Sequence, residues 1–145
     1  MTLLYNPVQT IRIFALANAA LNGHINGRMY YPSIPTTDHN FPAIAYKPIS
    51  GPYNQYIPYA RLIVEFYCYD SRDRTPKASS DTFKYLFDAI HDKQNVSVED
   101  VESVTGAPII YWSKCVSTAQ PLTDPFTQWQ YNRSLFEIAI LHDAS

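Results

Sequence analysis

The chain has 145 residues, a formal net charge of −2 and a pI near 6.0, which suits a single domain and argues against a broad basic surface for nucleic acid. Charged residues make up 17% of the chain, below the usual ~25%, while tyrosine occurs 12 times. Such low charge fits either an ordinary coat of Ser, Thr, Asn and Gln or a surface that a partner covers. Two cysteines are too few for a disulfide framework. The sequence has no run of 18 apolar residues, so it predicts no membrane span.

The start of the chain, Met1 to Pro7, lacks the basic region of a signal peptide. We therefore expect the protein to be made in a reducing cytosol and to stay there, unless it leaves as part of a larger particle. Cys68 falls in the apolar register of a predicted strand, so a buried free thiol is the expected state of this residue.

The first half of the chain predicts one helix and three strands. Asn6 caps a helix that begins at Pro7 and continues to Leu21, where Asn22 and Gly23 supply the stop. Strand patterns follow at 28–31, 41–47 and 59–69. The segment from Pro48 to Pro58 is rich in proline and tyrosine, and it predicts a projecting loop.

The third strand pattern is long for a small domain, and its residues alternate in character. The apolar face consists of Ala60, Leu62, Val64, Phe66 and Cys68. The other face is amphipathic and consists of Tyr59, Arg61, Ile63, Glu65, Tyr67 and Tyr69. One clean apolar face with a period of two indicates an antiparallel sheet that is covered on one side.

The second half predicts one further helix and at least two strands. The helix region opens at Thr75 and Pro76 and runs to about Lys93, with a single apolar face that consists of Phe83, Leu86, Phe87 and Ile90. Polar residues at 94–106 leave room for a short strand. Strands at 108–116 and 129–141 flank a predicted loop at 117–127. The fold class is therefore α+β, a single domain over residues 1–145 with a mostly antiparallel sheet and two main helices packed on one face.

No pattern of catalytic or metal-binding residues stands out. The four histidines do not have the spacing of a zinc motif, and a site formed by Asp38, His39 and a distant histidine would need convergence in the fold. Neither cysteine has a nearby histidine in the sequence. The chain also lacks a Gly-x-Ser-x-Gly motif and a glycine-rich phosphate loop. We therefore predict no catalytic, cofactor-binding or metal-binding residue.

Aromatic and charged residues near the long strand are candidates for an interface instead. The candidates are Tyr53, Tyr56, Tyr59, Arg61, Arg72 and Arg74. The tyrosines either cover the edge of their own sheet or anchor a partner. Arg72 and Arg74 alternate with aspartates, so they form either a solvated turn with local ion pairs or a charged contact that sets register with a neighbouring subunit.

The order of motifs along the chain carries a resemblance to a known family. An N-terminal helix leads to Arg-Met-Tyr-Tyr-Pro at 28–32 and then to Pro-Ala-Ile at 42–44. The long strand, a short polar hinge and a Leu-Phe-Asp-Ala-Ile helix at 86–90 come next, and Asp124 precedes the closing strand. In this layout, which spans nearly the whole chain, the protein resembles the small tail-terminator and tail-completion proteins of long-tailed bacteriophages.

This resemblance implies a hexameric ring that caps the tail tube, stops its polymerisation and offers a surface to the head-completion proteins. It implies a structural protein and not an enzyme, with no cofactor. The implied partners are copies of the chain itself, the tail tube protein and a head-completion or connector protein, with DNA only as cargo in the ring lumen and no membrane. The implied location is the head–tail junction of the virion, after assembly in the host cytoplasm.

Other hypotheses stay open. Within the same class, the chain could be a head–tail connector adaptor or a tube-like protein. A small hydrolase that uses His39 or His142 is a hypothesis from another class. Another is a single-strand nucleic-acid-binding module that uses the tyrosines and arginines of the long strand. The segment from Pro48 to Pro58 looks longer than a plain hairpin, so the resemblance leaves the partner surface open.

Overall fold

The computed structural model describes residues 7–34, 41–50, 59–69, 76–98, 108–124 and 129–142. The helices in these residues are α1 (Pro7–Leu16), α2 (Ala19–Ile25) and α3 (Pro76–Ile90). The strands are β1 (Met29–Tyr30), β2 (Ala43–Ser50), β3 (Tyr59–Tyr69), β4 (Lys93–Ser97), β5 (Pro108–Thr123) and β6 (Gln130–His142). They form one sheet in the order β1-β2-β3-β6-β5-β4, in which the β1–β2 pair is parallel and the other pairs are antiparallel. This confirms the α+β class and the mostly antiparallel sheet.

The predicted helix over residues 7–21 is two helices. Asn18 has extended backbone angles, with φ −78° and ψ 115°, and its side chain accepts a hydrogen bond from the Leu21 N–H at 3.0 Å. This bond caps α2. It competes with the backbone hydrogen bonds of a continuous helix, and that competition ends α1 before Asn18. The predicted stop at Asn22 and Gly23 is wrong, because both residues lie inside α2, which ends instead at the left-handed Asn26.

Replacing Asn18 with Ala should lower the free energy of unfolding by about 1 kcal/mol, the usual cost of losing an N-cap. Urea denaturation followed by circular dichroism would measure it. Asn22→Ala is the matched control, because this asparagine is an exposed residue inside α2, where alanine has the higher helix propensity. An equal loss in both variants would contradict the capping role of Asn18.

Three other predicted boundaries also move. Strand β2 continues through Ser50, so the first residues of the predicted loop from Pro48 to Pro58 pair with β3 across a register shift; the rest of that loop lies outside the described residues. Helix α3 ends at Ile90 and not at Lys93, which begins β4, and Asp92 in the link has a left-handed φ of 56°. Strand β5 continues to Thr123, where residues 117–127 were predicted as a loop.

One face of the sheet, the core face, is buried in the main hydrophobic cluster. In β3 the predicted apolar side chains from Leu62 to Cys68 are buried, which confirms the alternation in the described part of that set. Residues that are directly opposite each other in a ladder share a face, and the register places Val64 opposite Phe136 and Leu62 opposite Ile138. All three helices add side chains to this cluster, and α3 contacts β3, β5 and β6. The four apolar residues of the predicted α3 face are buried in the cluster or packed against it.

Tyr46 connects β2 to the start of α1. Its ring is buried, and its hydroxyl donates a hydrogen bond to the Val8 carbonyl at 2.7 Å. Burial raises the pKa of Tyr46 to about 12 from its usual value of 10.0, and the nearby Arg12 opposes this shift. The tyrosinate is thus disfavoured in the folded state.

We expect the fold to lose stability between pH 10 and 12, because the unfolded chain releases the Tyr46 proton near pH 10 while the folded chain holds it to about pH 12. The stabilisation is complete below the unfolded pKa and is lost as the pH rises towards the folded one. Tyr46→Phe should cost about 1 kcal/mol at neutral pH and make the alkaline decline shallower. Urea unfolding at pH 8, 10 and 11 tests this, and an unchanged slope in the variant would contradict it.

Candidate interaction surface

The sheet face opposite the core face carries charged and aromatic side chains. We call this surface the polar face. Its members are Lys47 on β2, Arg61, Glu65, Tyr67 and Tyr69 on β3, Trp112 and Lys114 on β5, and Tyr131, Arg133 and Glu137 on β6. The alternation of β3 and the register of its neighbours place these residues on one side of the sheet. Four cations outnumber two carboxylates among them, although the whole chain has a net charge of −2.

Glu65 lies near the centre of the polar face and is nearly buried, with 7% side-chain exposure. The guanidinium of Arg133 contacts its Oε2 through Nε at 2.6 Å and Nη2 at 2.5 Å. Lys47 Nζ lies 4.0 Å from the other oxygen, Oε1. Because a buried carboxylate is costly unless it is paired, these contacts offset part of the cost of burying Glu65 at the centre of the face.

Glu137 forms a second pair with Arg61 across β3 and β6. The guanidinium of Arg61 also lies over the ring of Trp112, 5.9 Å from the ring centroid, and Lys114 Nζ lies 5.0 Å from the same centroid. Both contacts are within the range of a cation–π interaction. The carboxylate is nearly buried while the Arg61 side chain is 60% exposed, so the positive partner of this pair faces solvent.

An aromatic cluster occupies the end of the polar face near the C-terminus of β3. The Tyr131 ring packs against Tyr67 at 5.5 Å and against Tyr69 at 5.2 Å between ring centroids. Trp129 continues the cluster, with its centroid 6.3 Å from Tyr69 and 5.1 Å from Phe41. Burial raises the pKa of Tyr69 and of Tyr131, and in both cases the carboxylate of Asp124 raises it further. These hydroxyls therefore stay neutral donors and acceptors at physiological pH.

A groove of about 270 Å³ opens beside this cluster, and we call it the tyrosine groove. One wall is formed by Tyr67, Tyr69 and Tyr131 from β3 and β6. The rest of the lining is formed by Ala45, Lys47 and the segment 32–34. Aromatic rings and one proline with a few polar tips are the lining expected of a site that binds a peptide or another flat, partly apolar group.

The sequence-predicted interface residues have different outcomes in the structure. Arg61 lies on the polar face and pairs with Glu137. Tyr59 is the first residue of β3, but its side chain is outside the described residues. The four others, Tyr53, Tyr56, Arg72 and Arg74, also lie outside the described residues. The interface role of all six residues stays a prediction.

Sequence reasoning missed most of the polar face. The largest omissions were on β6 and β5: Trp112, Tyr131, Arg133 and Glu137. A signal for them existed, because the odd-numbered residues of the closing strand carry tyrosine and both signs of charge, as the odd-numbered residues of β3 do. Two amphipathic strands with complementary charges predict a shared face once their pairing is known.

The candidate catalytic groups are not brought together in the part of the chain that the structure describes. His39 and the His142 side chain lie outside that part. His24 Nε2 lies 3.1 Å from Thr82 Oγ1 and its ring stacks on Tyr85, while His91 Nδ1 accepts a hydrogen bond from the Cys115 N–H at 3.0 Å.

The two cysteines were the other candidate nucleophiles in the sequence. Burial raises the pKa of Cys115, whose thiol donates to the Ser117 carbonyl at 3.3 Å, and a raised pKa lowers the reactive thiolate fraction. Cys68 is a buried thiol that forms no disulfide, as predicted. Among the described residues, no group of three His, Cys, Asp or Glu side chains could hold a metal ion.

Comparison of the sequence with protein-family models and with curated proteins finds no match. The helices among the described residues are too short or too polar to cross a membrane.

Proposed function

We propose that this protein is a structural subunit of a bacteriophage virion, a tail terminator that forms a ring at the end of the tail tube. The ring is hexameric, caps the tube and joins it to the head-completion or connector proteins. The protein is not an enzyme, assembles in the host cytoplasm and resides at the head–tail junction, where DNA passes through the ring lumen as cargo. The layout of motifs along the chain supports this proposal.

The observation that carries it is the polar face. Its two carboxylates are nearly buried and pair with arginines, which keep 60% and 32% side-chain exposure, so the positive partner of each pair is the one that solvent reaches. Ordered tyrosine, tryptophan and arginine side chains are the residues that dominate protein interfaces. The helices, we infer, lie together on the core face and leave the polar face to partners.

Ring formation is geometric in this proposal. A contact between two different patches of the same chain, repeated around an axis, closes into a ring when the rotation closes. One rim of that ring would match the tube subunit and the other rim a different protein, so further tube subunits could not add. A connector adaptor or a tube-like protein would use the same surfaces with a different preference for partners.

The first test is the mass of the purified protein by light scattering and native mass spectrometry over a range of concentrations. A mass six times the 16.6 kDa of the chain, with rings in negative-stain electron microscopy, is the expected result. Addition of tube protein should place the ring at tube ends. A monomer at every concentration that also stays unbound to tube protein would overturn the proposal, and binding to portal-side proteins alone would favour the connector adaptor.

A second candidate function, binding of single-stranded nucleic acid, is favoured by one observation. The polar face joins four cations to clustered aromatic rings, the combination that single-strand binders use. Fluorescence anisotropy with a labelled oligodeoxythymidine at two salt concentrations tests it. Salt-dependent binding that Arg61→Ala weakens would support this candidate, while no binding at low salt would remove it.

A further inference from the structure

The tyrosine groove lies at one end of the β2–β3 pair, and the segment 51–58 joins the two strands at the other end. The groove residues Ala45 and Tyr67 are directly opposite each other in the ladder. From Tyr67 the strand runs back eight residues before it reaches Tyr59. This placement decides whether the segment can fill the groove of its own subunit.

The segment 51–58 cannot reach the tyrosine wall, formed by Tyr67, Tyr69 and Tyr131, of the groove in its own subunit. A path from Ser50 to Ala45 and back from Tyr67 to Tyr59 covers about 44 Å at ~3.4 Å per strand residue. The segment 51–58 with its flanking bonds spans about 32 Å at most when fully extended. The segment of a second copy is free of this limit.

The composition of the segment 51–58 suits the aromatic lining of the groove. The sequence of the segment is Gly-Pro-Tyr-Asn-Gln-Tyr-Ile-Pro, which has two prolines, two tyrosines and no charge. Proline fixes its own φ at about −65° and so favours the extended left-handed conformation that aromatic grooves recognise. Among the described residues that line the groove, Lys47 alone is charged, and it already lies 4.0 Å from Glu65. A neutral peptide fits this lining better than the phosphates of a nucleic acid do.

We infer that the segment 51–58 of one subunit docks in the tyrosine groove of the next subunit, with Pro52, Tyr53 and Tyr56 against Tyr67 and Tyr131. This inference rests on the proposed ring and names the contact that builds it. The contact joins two different patches of the same chain, which is the heterologous type that closes into rings. Tyr53 and Tyr56 thereby become inter-subunit anchors.

Photo-crosslinking in the full-length protein tests this contact. p-Benzoylphenylalanine is placed at Tyr56 in one preparation and, as the matched control, at the exposed Tyr111 of β5 in another. Each is mixed with ¹⁵N-labelled wild-type protein, irradiated and mapped by mass spectrometry. Crosslinks from position 56 to residues 32–34, 67, 69 or 131 should join a labelled and an unlabelled chain. Ser33→Trp in the acceptor subunit, at an exposed position of the groove wall, should reduce their yield about tenfold.

The outcomes separate this inference from the proposed function. A ring by mass together with the expected crosslink supports both. A ring whose position 56 crosslinks elsewhere, or within one chain, keeps the ring and overturns the groove contact. A monomer at every concentration, with or without tube protein, overturns both. Two further results would show that the segment 51–58 is not the occupant of the groove. One is a Ser33→Trp variant that is folded by circular dichroism and leaves the crosslink yield unchanged. The other is oligodeoxythymidine binding that Ser33→Trp abolishes.

Discussion

Replacing Phe136 with Ala should lower the free energy of unfolding by about 3–5 kcal/mol, the largest single effect that we expect in this chain. Phe136 is fully buried on β6, and its ring meets the Phe66 ring edge-on at 5.4 Å between centroids. The register places Val64 directly opposite it and Cys115 on its other side. The cavity would therefore open in the middle of the sheet, where the backbone of both neighbouring strands resists collapse.

Urea denaturation at neutral pH measures this loss. Tyr111→Ala on β5 is the control, because it removes an aromatic side chain of similar size that is 49% exposed. The control should change the free energy of unfolding by less than about 1 kcal/mol. A loss below about 1 kcal/mol for Phe136→Ala would mean that the core can close around the missing ring, and it would contradict the packing described for β3 and β6.

The alternation of single strands was predictable from the sequence, and their pairing was not. The burial of Val64 and Phe66 follows directly from the period of two in β3. The order of strands in the sheet depends on contacts between residues far apart in the chain, such as Tyr67 and Arg133. Local patterns carry no information about such contacts, so the central position of β6 between β3 and β5 emerged only from the fold.

The boundary errors have local physical causes. The apolar residues of α1 and α2 continue a helical pattern across Asn18, but the side chain of that residue prefers to cap the second helix. Residues from Ser117 to Thr123 resemble a loop because they include Pro121 and few large apolar residues. They nonetheless remain in β5, because the long β6 strand offers a partner and register shifts absorb the misfit.

The candidate site shows the same division between local and distant information. Arg61 could be singled out from the sequence because it is the one cation on the amphipathic face of its own strand. Glu65, Arg133 and Glu137 could not be recognised as a network, since each has its partner on another strand. A charge on the exposed side of one strand looks like ordinary solvation until the pairing is known. The ion pairs of the polar face are therefore the feature that the fold adds to the sequence.

These ion pairs give the second large effect. Arg133→Met should lower the free energy of unfolding by about 2–4 kcal/mol, because it leaves the nearly buried Glu65 without its closest counter-charge. The value is set below that of a fully buried pair, since Arg133 keeps 32% side-chain exposure. Methionine retains the aliphatic stem of the arginine, so the loss reports charge and hydrogen bonding more than packing.

A double-mutant cycle with Glu65→Gln isolates the pair. If the partners interact as the geometry indicates, the double variant should be more stable than the sum of the single losses predicts, by about 1–2 kcal/mol. Lys47→Met is the matched control: it removes a cation that lies 4.0 Å from the same carboxylate and is 45% exposed, so its loss should stay below about 1 kcal/mol. Equal losses for Arg133→Met and Lys47→Met would show that Glu65 responds to general positive charge and not to the two close contacts with the guanidinium. In that case the polar face would lack the fixed centre on which its proposed role as an interaction surface depends.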